Sequence, residues 1–190
     1  MKKVIATVLC SMFMFIAGAQ EHLEFKGIPL DGKTSEFVKK LTDAGFKYLG
    51  REDGSDIFTG TFTGKNCTVI IESTPITNTV YSAFVILDQE RDWATLKSDY
   101  SMLKKGLTAK YGEPYEFKEE YKGTLYKEGD GFAYSAFKGG YVDWYAYYKT
   151  TLGQINLYIR EQSSPFLTVI VNYVDDKNQE KAIQELTEDL

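Results

Sequence analysis

Side chains that act as nucleophiles or general bases are scarce in this chain of 190 residues. It has one histidine, His22, and two cysteines, Cys10 and Cys67. A nucleophilic cysteine needs an adjacent base or a lowered pKa, whereas Cys67 occupies an apolar position of a predicted strand. His22 lies near the start of the chain, in a segment that is expected to be mobile. The sequence therefore predicts a buried, unreactive Cys67, and a Ser–His–Asp triad would have to recruit His22.

The sequence does not indicate a metal or cofactor site. Typical zinc sites need several Cys or His ligands. The segment DDKNQEKAIQEL, which begins at Asp175, lacks the Gly and Glu that a calcium loop has at its sixth and twelfth positions. In FTGTFTGKNCTVII, Gly60 and Gly64 enclose three residues instead of the four of a phosphate-binding loop, and Asn66 replaces the hydroxyl residue after Lys65. We expect no metal and no cofactor.

Carboxylate pairs remain as a catalytic possibility, because the chain has 27 Asp and Glu residues. A hydrolase of this kind needs two close carboxyl groups, one with its pKa raised by an apolar setting. Asp130, between two glycines, has the most site-like surroundings. Nothing in the spacing selects a partner for Asp130. A carboxylate-dependent hydrolase of envelope or dietary polymers is therefore an alternative hypothesis.

The first 19 residues have the pattern of an export signal. Two lysines precede an apolar run over residues 4–16, and Ala17-Gly18-Ala19 supplies the small residues of a signal peptidase site. This run is too short to cross a bilayer as a helix. We expect a signal peptide over residues 1–19, cleavage between Ala19 and Gln20, and a periplasmic or secreted mature chain.

The charge of the mature chain disfavours some partners. Of 22 basic residues, Lys2 and Lys3 are removed, which leaves 20 against 27 acidic residues, a net charge of −7. Nucleic acids and anionic membrane surfaces are bound through basic patches. We expect no nucleic-acid partner, and no later apolar run is long enough for a transmembrane segment.

The elements that must position any site are helices and antiparallel strands. Apolar periodicity, with Thr34, Asp92 and Asp176 as N-caps, predicts a helix that Gly45 ends, a long helix over 92–111 and a C-terminal helix. Alternating patterns between turn residues predict eight strands. They cover residues 46–51, 57–63, 66–73, 79–87, 115–120, 141–149, 154–161 and 166–174.

Two predicted hairpins each gather apolar side chains on one side. In the first, a two-residue turn at Gly64 and Lys65 would place Phe62 opposite Cys67 and Phe58 opposite Ile71. In the second, the loop 150–153 sets a register with three apolar pairs. These pairs are Tyr148 with Ile155, Ala146 with Leu157, and Trp144 with Ile159.

The two hairpins suggest an internal duplication. Each is followed by a third apolar strand, an Asp and an amphipathic helix, and Leu96 and Ile183 occupy matching helix positions. We therefore predict an α+β fold built as a tandem pseudo-repeat, in which helices pack on antiparallel sheet units. The first unit covers residues 20–111 and includes the long helix, and the second covers residues 112–190.

The opposite side of the second hairpin is the candidate binding face. The same register makes three polar or aromatic pairs, and aromatic side chains supply contact area while polar neighbours fix orientation. The pairs are Asp143 with Arg160, Tyr145 with Tyr158, and Tyr147 with Asn156. Such pairs can also serve only to stabilise the sheet, or the face can be covered by another element.

The segments HLEFKGIPLDGKTSEFVKKLTDAGF and KYGEP carry a family resemblance. They are similar to a group of uncharacterised secreted proteins from Gram-negative gut bacteria, with an FKGIP segment, a helix ending in Gly-Phe and a Lys-Tyr-Gly-x-Pro helix stop. The resemblance implies a periplasmic or secreted location and no activity. At the level of fold alone, the layout is loosely similar to the modules of β-lactamase-inhibitor proteins.

The leading hypothesis is an exported, non-catalytic binding protein that holds a protein, peptide or glycan on the tyrosine-rich face. One alternative is the hydrolase described above. The other is a proteinaceous inhibitor of an exported enzyme, which would insert loops such as 52–55 or 74–78 into its target.

Overall fold

The chain folds around one large antiparallel sheet. A computed structural model describes residues 21–188, so the predicted signal peptide lies outside the described residues. Within that range the fold is α+β, with an eight-stranded antiparallel sheet, a separate two-stranded hairpin and four helices. None of the helices in residues 21–188 is both long and apolar enough to cross a bilayer.

Ten strands and four helices follow one another as the apolar patterns predict, with two additions. The strands are β1 Glu24–Phe25, β2 Ile28–Pro29, β3 Lys47–Glu52, β4 Ser55–Phe62, β5 Lys65–Ser73, β6 Val80–Leu87, β7 Glu116–Tyr121, β8 Val142–Lys149, β9 Gly153–Ser163 and β10 Phe166–Asp175. The helices are α1 Thr34–Asp43, α2 Trp93–Tyr111, α3 Ala133–Lys138 and α4 Asp176–Thr187. The short hairpin β1–β2 was not predicted. The duplication implies a counterpart of the first helix within residues 121–140, where α3 lies, but the sequence set no bounds for it. Both elements are too short to show a periodic pattern.

The large sheet consists of two halves that meet at the middle. Its strand order is β3-β4-β5-β6-β10-β9-β8-β7, so the first four strands form one half and the last four form the other. β6 and β10 pair antiparallel, with Val85 opposite Val171 and Ile86 opposite Ile170. The two predicted units therefore share a single sheet.

The register of the second hairpin is confirmed, and that of the first is corrected. Between β8 and β9, Tyr145 lies opposite Tyr158, as predicted. Between β4 and β5, however, the turn residues are Thr63 and Gly64, with φ angles of 50° and 82°. Phe58 therefore lies opposite Val69 and not opposite Ile71. The turn is displaced by one residue, which shifts each cross-strand pair by two residues. Because side chains alternate with a period of two, the predicted apolar side is unchanged.

One face of the sheet holds the hydrophobic core. A row of paired residues on this face crosses from β3 to β7: Tyr48, Phe58, Val69, Val85, Val171, Leu157, Ala146 and Phe117. α2 covers the middle of it with a stripe spaced three or four residues apart: Leu96, Tyr100, Leu103 and Leu107. α1 contributes Phe37 and Leu41, and α3 packs against the same core.

The last helix is held at one end of the sheet by polar contacts. Its N-cap is Asp175, whose side chain accepts a hydrogen bond from the Asn178 N–H; the predicted cap, Asp176, is the first helical residue. The Asn178 amide in turn donates to the backbone carbonyls of Leu30 and Val80. Leu96 and Ile183, which occupy matching positions in the proposed repeat, differ in burial: Leu96 is 2% exposed and Ile183 is 56% exposed.

Candidate functional site

The second face of the sheet carries two rows of directly opposed residues that span all eight strands. The first row is Gly50, Ile57, Ile70, Phe84, Asn172, Asn156, Tyr147 and Glu116. The second row is Lys47, Thr59, Thr68, Ile86, Ile170, Tyr158, Tyr145 and Lys118. We call these two rows the ladder face. With strands about 4.8 Å apart, the face is about 34 Å wide.

The ladder face is an open surface with two different halves. Helices α1, α2 and α3 bury their apolar side chains on the other side of the sheet, and α4 is tied to its end. Most side chains of the face are partly exposed, although Ile170 in the middle is buried. The half from the first unit has three isoleucines and one phenylalanine among its eight positions, and the half from the second unit has three tyrosines among its eight.

The tyrosines of the second half form a fixed cluster. The rings of Tyr145 and Tyr147 stack with centroids 4.5 Å apart and an interplanar angle of 20°. The Tyr145 hydroxyl donates a hydrogen bond of 2.8 Å to Glu116 on the edge strand, and this bond raises the pKa of Tyr145 to about 12. Because ring stacking and hydrogen bonding fix these side chains in advance, a partner that binds here has little side-chain entropy left to remove.

The predicted pair of Asp143 and Arg160 does not form an ion pair. Asp143 instead contacts Lys122 at 3.0 Å and Lys118 at 3.7 Å, which joins β8 to the edge strand. The Arg160 guanidinium is exposed and donates a long hydrogen bond of 3.4 Å to the Glu161 carbonyl. Arg160 therefore stands at the border of the tyrosine cluster as an accessible cation.

A cavity of about 560 Å³ lies on the other side of the molecule, at the start of α2. Trp93, Tyr121 and Tyr134 supply its aromatic lining. Its acidic residues include Asp92 and Asp130, the acid that the sequence singled out. The volume lies within the usual range of ligand pockets, about 300–1,000 Å³.

The carboxylates of this cavity are not arranged for acid–base catalysis. Hydrogen bonds from the Thr95 hydroxyl and N–H lower the pKa of Asp92. The N–H groups of Lys127 and Phe132 likewise lower the pKa of Asp130. A general acid at neutral pH needs the opposite shift, so the lowered pKa values of Asp92 and Asp130 give the hydrolase hypothesis no support.

The two residues with the greatest potential for nucleophilic or base chemistry lie in separate, buried places. Cys67 is 1% exposed, and burial raises the pKa of its thiol to about 11. His22 is 9% exposed and contacts Asp175 at 3.2 Å and Asp31 at 3.7 Å, so the prediction of a mobile segment is wrong. No local pattern could indicate this network, because Asp175 lies 153 residues from His22 along the chain.

Metal ligands are not clustered in the described part of the chain. Among residues 21–188, no group of three or more His, Cys, Asp or Glu side chains is placed to hold an ion. Comparisons with protein-family models, with curated proteins and with solved structures find no match for this chain.

Proposed function

We propose that the chain is an exported, non-catalytic binding protein that holds a partner protein on the ladder face. The observation that carries this proposal is the pair of residue rows that cross all eight strands on a side that the core helices leave open. Tyrosine supplies a large contact area at little cost in side-chain entropy, and is enriched at protein interfaces.

The shape of the ladder face favours a protein over a small ligand. Small molecules bind in concave pockets. Of the cavities of about 560, 270 and 360 Å³, only the last reaches the ladder face, and it does so at two residues, Thr68 and Ile86. A protein–protein interface of standard size buries about 800 Å² on each partner, with about 20–30 residues a side. The sixteen paired positions of the ladder face would supply most of one such side.

The strand order supports the proposed internal duplication, in which residues 20–111 and 112–190 are the two copies. In both halves, consecutive strands run from an edge towards the centre, and the strand at the centre is followed by a helix. The likeness to β-lactamase-inhibitor modules stays a proposal at the level of fold alone. Because fold alone does not establish function, the proposal rests on the surface and not on that likeness.

A second candidate function is inhibition of an exported enzyme through the loops 52–55 and 74–78. Arg51 holds the two loops side by side, because its guanidinium donates to the Gly54 carbonyl at 2.7 Å and to the Asn78 side chain at 3.4 Å. Loop 74–78 is also fastened to α4 by Glu185. Rigid neighbouring loops are suited to insertion into a target site.

Site-specific photo-crosslinking tests both candidates. A benzoylphenylalanine is placed at Tyr158 on the ladder face, at Asp53 on the first loop, or at Phe117. Phe117 is 56% exposed and lies on the core side of β7, so it is the matched aromatic control. Each protein, residues 20–190, is irradiated with envelope and culture-medium proteins of the producing organism, and adducts are identified by mass spectrometry.

The proposed function predicts one defined protein adduct from position 158 and none from position 117. The double variant Tyr145→Ala/Tyr158→Ala should then weaken the purified complex at least tenfold without a change in fold. An adduct from position 53 alone favours the inhibitor. Equal adducts from 158 and 117, or an unchanged affinity of the double variant, would remove the ladder face as the binding site.

A further inference from the structure

A second cavity, of about 270 Å³, forms a groove between α2, the β1–β2 hairpin and the turn that joins β4 to β5. Its floor consists of four buried side chains: Phe62, Leu103, Leu107 and Tyr173. Lys26 on the hairpin and Lys110 on the helix lie on its rim, together with Glu24. The groove thus has an apolar floor and a rim with two cations and one anion.

Three residues of this groove are poorly suited to their local backbone. Gly106 lies in the interior of α2, where glycine is disfavoured relative to every residue except proline. Lys26 and Thr63 have φ angles of 54° and 50°, a left-handed conformation that is unusual for lysine and a clear outlier for a β-branched residue.

These departures are concentrated at the groove. The other non-glycine residues with positive φ in residues 21–188 are Asp53 and Asn78, whose residue types adopt this conformation readily. Sequences that fold well agree with their local structure, and exceptions are expected at functional sites. Gly106 also has a spatial effect, since a Cβ atom at this position would have no protein atom within 4 Å. The glycine therefore leaves a notch in the helix wall between Met102 and Lys110.

The charges of the rim indicate the head group of the ligand. The Lys26 ammonium lies 5.9 Å from the ring centroids of Phe46 and Phe62, directly above apolar surface. The Lys110 ammonium lies 4.9 Å from the ring centroid of Tyr111, which also lines the groove. An anionic head group at this rim would accept charge-assisted hydrogen bonds from the ammonium groups.

We propose that this groove binds an amphiphilic carboxylate, with the chain on the apolar floor and the head group between Lys26 and Lys110. The part of α2 that lines the groove runs from Met102 to Lys110, about 12 Å at about 1.5 Å per residue, which matches an extended chain of about ten carbons. This site is independent of the ladder face, which lies on the other side of the sheet.

Calorimetric titration of the mature chain with decanoate, below its micelle concentration, tests the proposal. Decylamine and decanol have the same chain length with a cationic or a neutral head group. Decanoate should bind at one site, and about tenfold or more tightly than either control. Absence of decanoate binding, or equal binding of decylamine, would overturn the proposal.

Two variants locate the site on the molecule. Gly106→Leu places a side chain in the notch and favours the helix, so it should abolish decanoate binding while the melting temperature is kept or raised. Lys26→Asn combined with Lys110→Gln removes both charges, and asparagine suits the positive φ of position 26; it should weaken binding about tenfold. Lys105→Gln, an exposed lysine of α2 outside the groove, is the control. Unchanged decanoate binding in Gly106→Leu, or equal weakening in Lys105→Gln, would overturn the assignment.

Discussion

The hydroxyl group of Thr77 donates a hydrogen bond of 2.5 Å to the carboxylate of Glu185, which lies 108 residues later in the chain. The same carboxylate accepts hydrogen bonds from the N–H groups of Ile76 and Thr77, at 2.8 and 3.1 Å. Through this carboxylate, α4 holds the loop between β5 and β6 in place. Burial acts to raise the pKa of Glu185, but the hydrogen bonds from Thr77 and Ile76 outweigh it and lower the pKa to about 2.

Acid should therefore weaken the attachment of α4. A carboxyl group whose pKa is lowered in the folded state stabilises the fold above its unfolded pKa of 4.5. This stabilisation is lost as the pH falls from 4.5 towards about 2. Glu185→Gln should flatten the dependence of the free energy of unfolding on pH in this window, as measured by urea denaturation. Glu180→Gln, at an exposed position of the same helix, should keep the wild-type slope. An unchanged slope in Glu185→Gln would contradict this account.

The attachment of the N-terminal segment should contribute to global stability. Asp175 is fully buried and binds the N–H of Leu23 at 2.8 Å as well as the ring of His22. His22→Ala leaves one side of this buried carboxylate without its partner, so it should lower the free energy of unfolding by about 1–3 kcal/mol. Glu21→Ala, next to it and exposed, should change stability by less than about 0.5 kcal/mol. Equal effects of the two substitutions in urea denaturation would show that the segment is not anchored as described.

Two glycine-to-alanine substitutions should change stability in opposite directions. A Cβ atom at Gly60 would lie 2.5 Å from the ring of the buried Phe46, so Gly60→Ala should destabilise the fold by about 1–3 kcal/mol. At Gly106, in a helix and with free space around it, alanine should stabilise the fold by about 0.5–1 kcal/mol. Thermal unfolding of both variants checks the signs, and a loss of stability in Gly106→Ala would argue against the open notch in α2.

The thiol of Cys67 should be unreactive until the protein unfolds. Cys67 lies on β5 with its side chain in the hydrophobic core, and burial raises the pKa of the thiol to about 11, so the thiolate is rare at neutral pH. A protein that consists of residues 20–190 should not react with a disulfide reagent at pH 8 in buffer, and should react with one equivalent in strong denaturant. Stoichiometric reaction of the folded chain would show that Cys67 is accessible.

The registers of the two hairpins show what local patterns can predict. In the second hairpin, residues 150–153 allow one placement of the loop. The predicted pairing of Tyr145 with Tyr158 is confirmed. The first turn uses Thr63 in a left-handed conformation that sequence rules disfavour for β-branched residues, so the predicted turn is displaced by one residue. The predicted apolar sides are correct in both cases, because burial of one face fixes the alternation.

Contacts between distant parts of the chain could not be predicted from one sequence. Neither the carboxylate bonds of Glu185 to loop 74–78 nor the pairing of β6 with β10 leaves a periodic signal in the sequence. The ladder face was predicted only in its second half, around Tyr145 and Tyr158. Its first half follows only from the pairing of β6 with β10, which places Ile86 beside Ile170 in the same row.

The pairing of β6 with β10 also has a consequence for biogenesis. Synthesis delivers the first half of the sheet long before the last strand is available, so the backbone N–H and C=O groups along one side of β6 remain without their partner during that interval. An unprotected strand of this kind is a template for pairing with another nascent chain. Correct folding of the domain therefore requires that this side of β6 does not pair with another molecule before β10 has been synthesised.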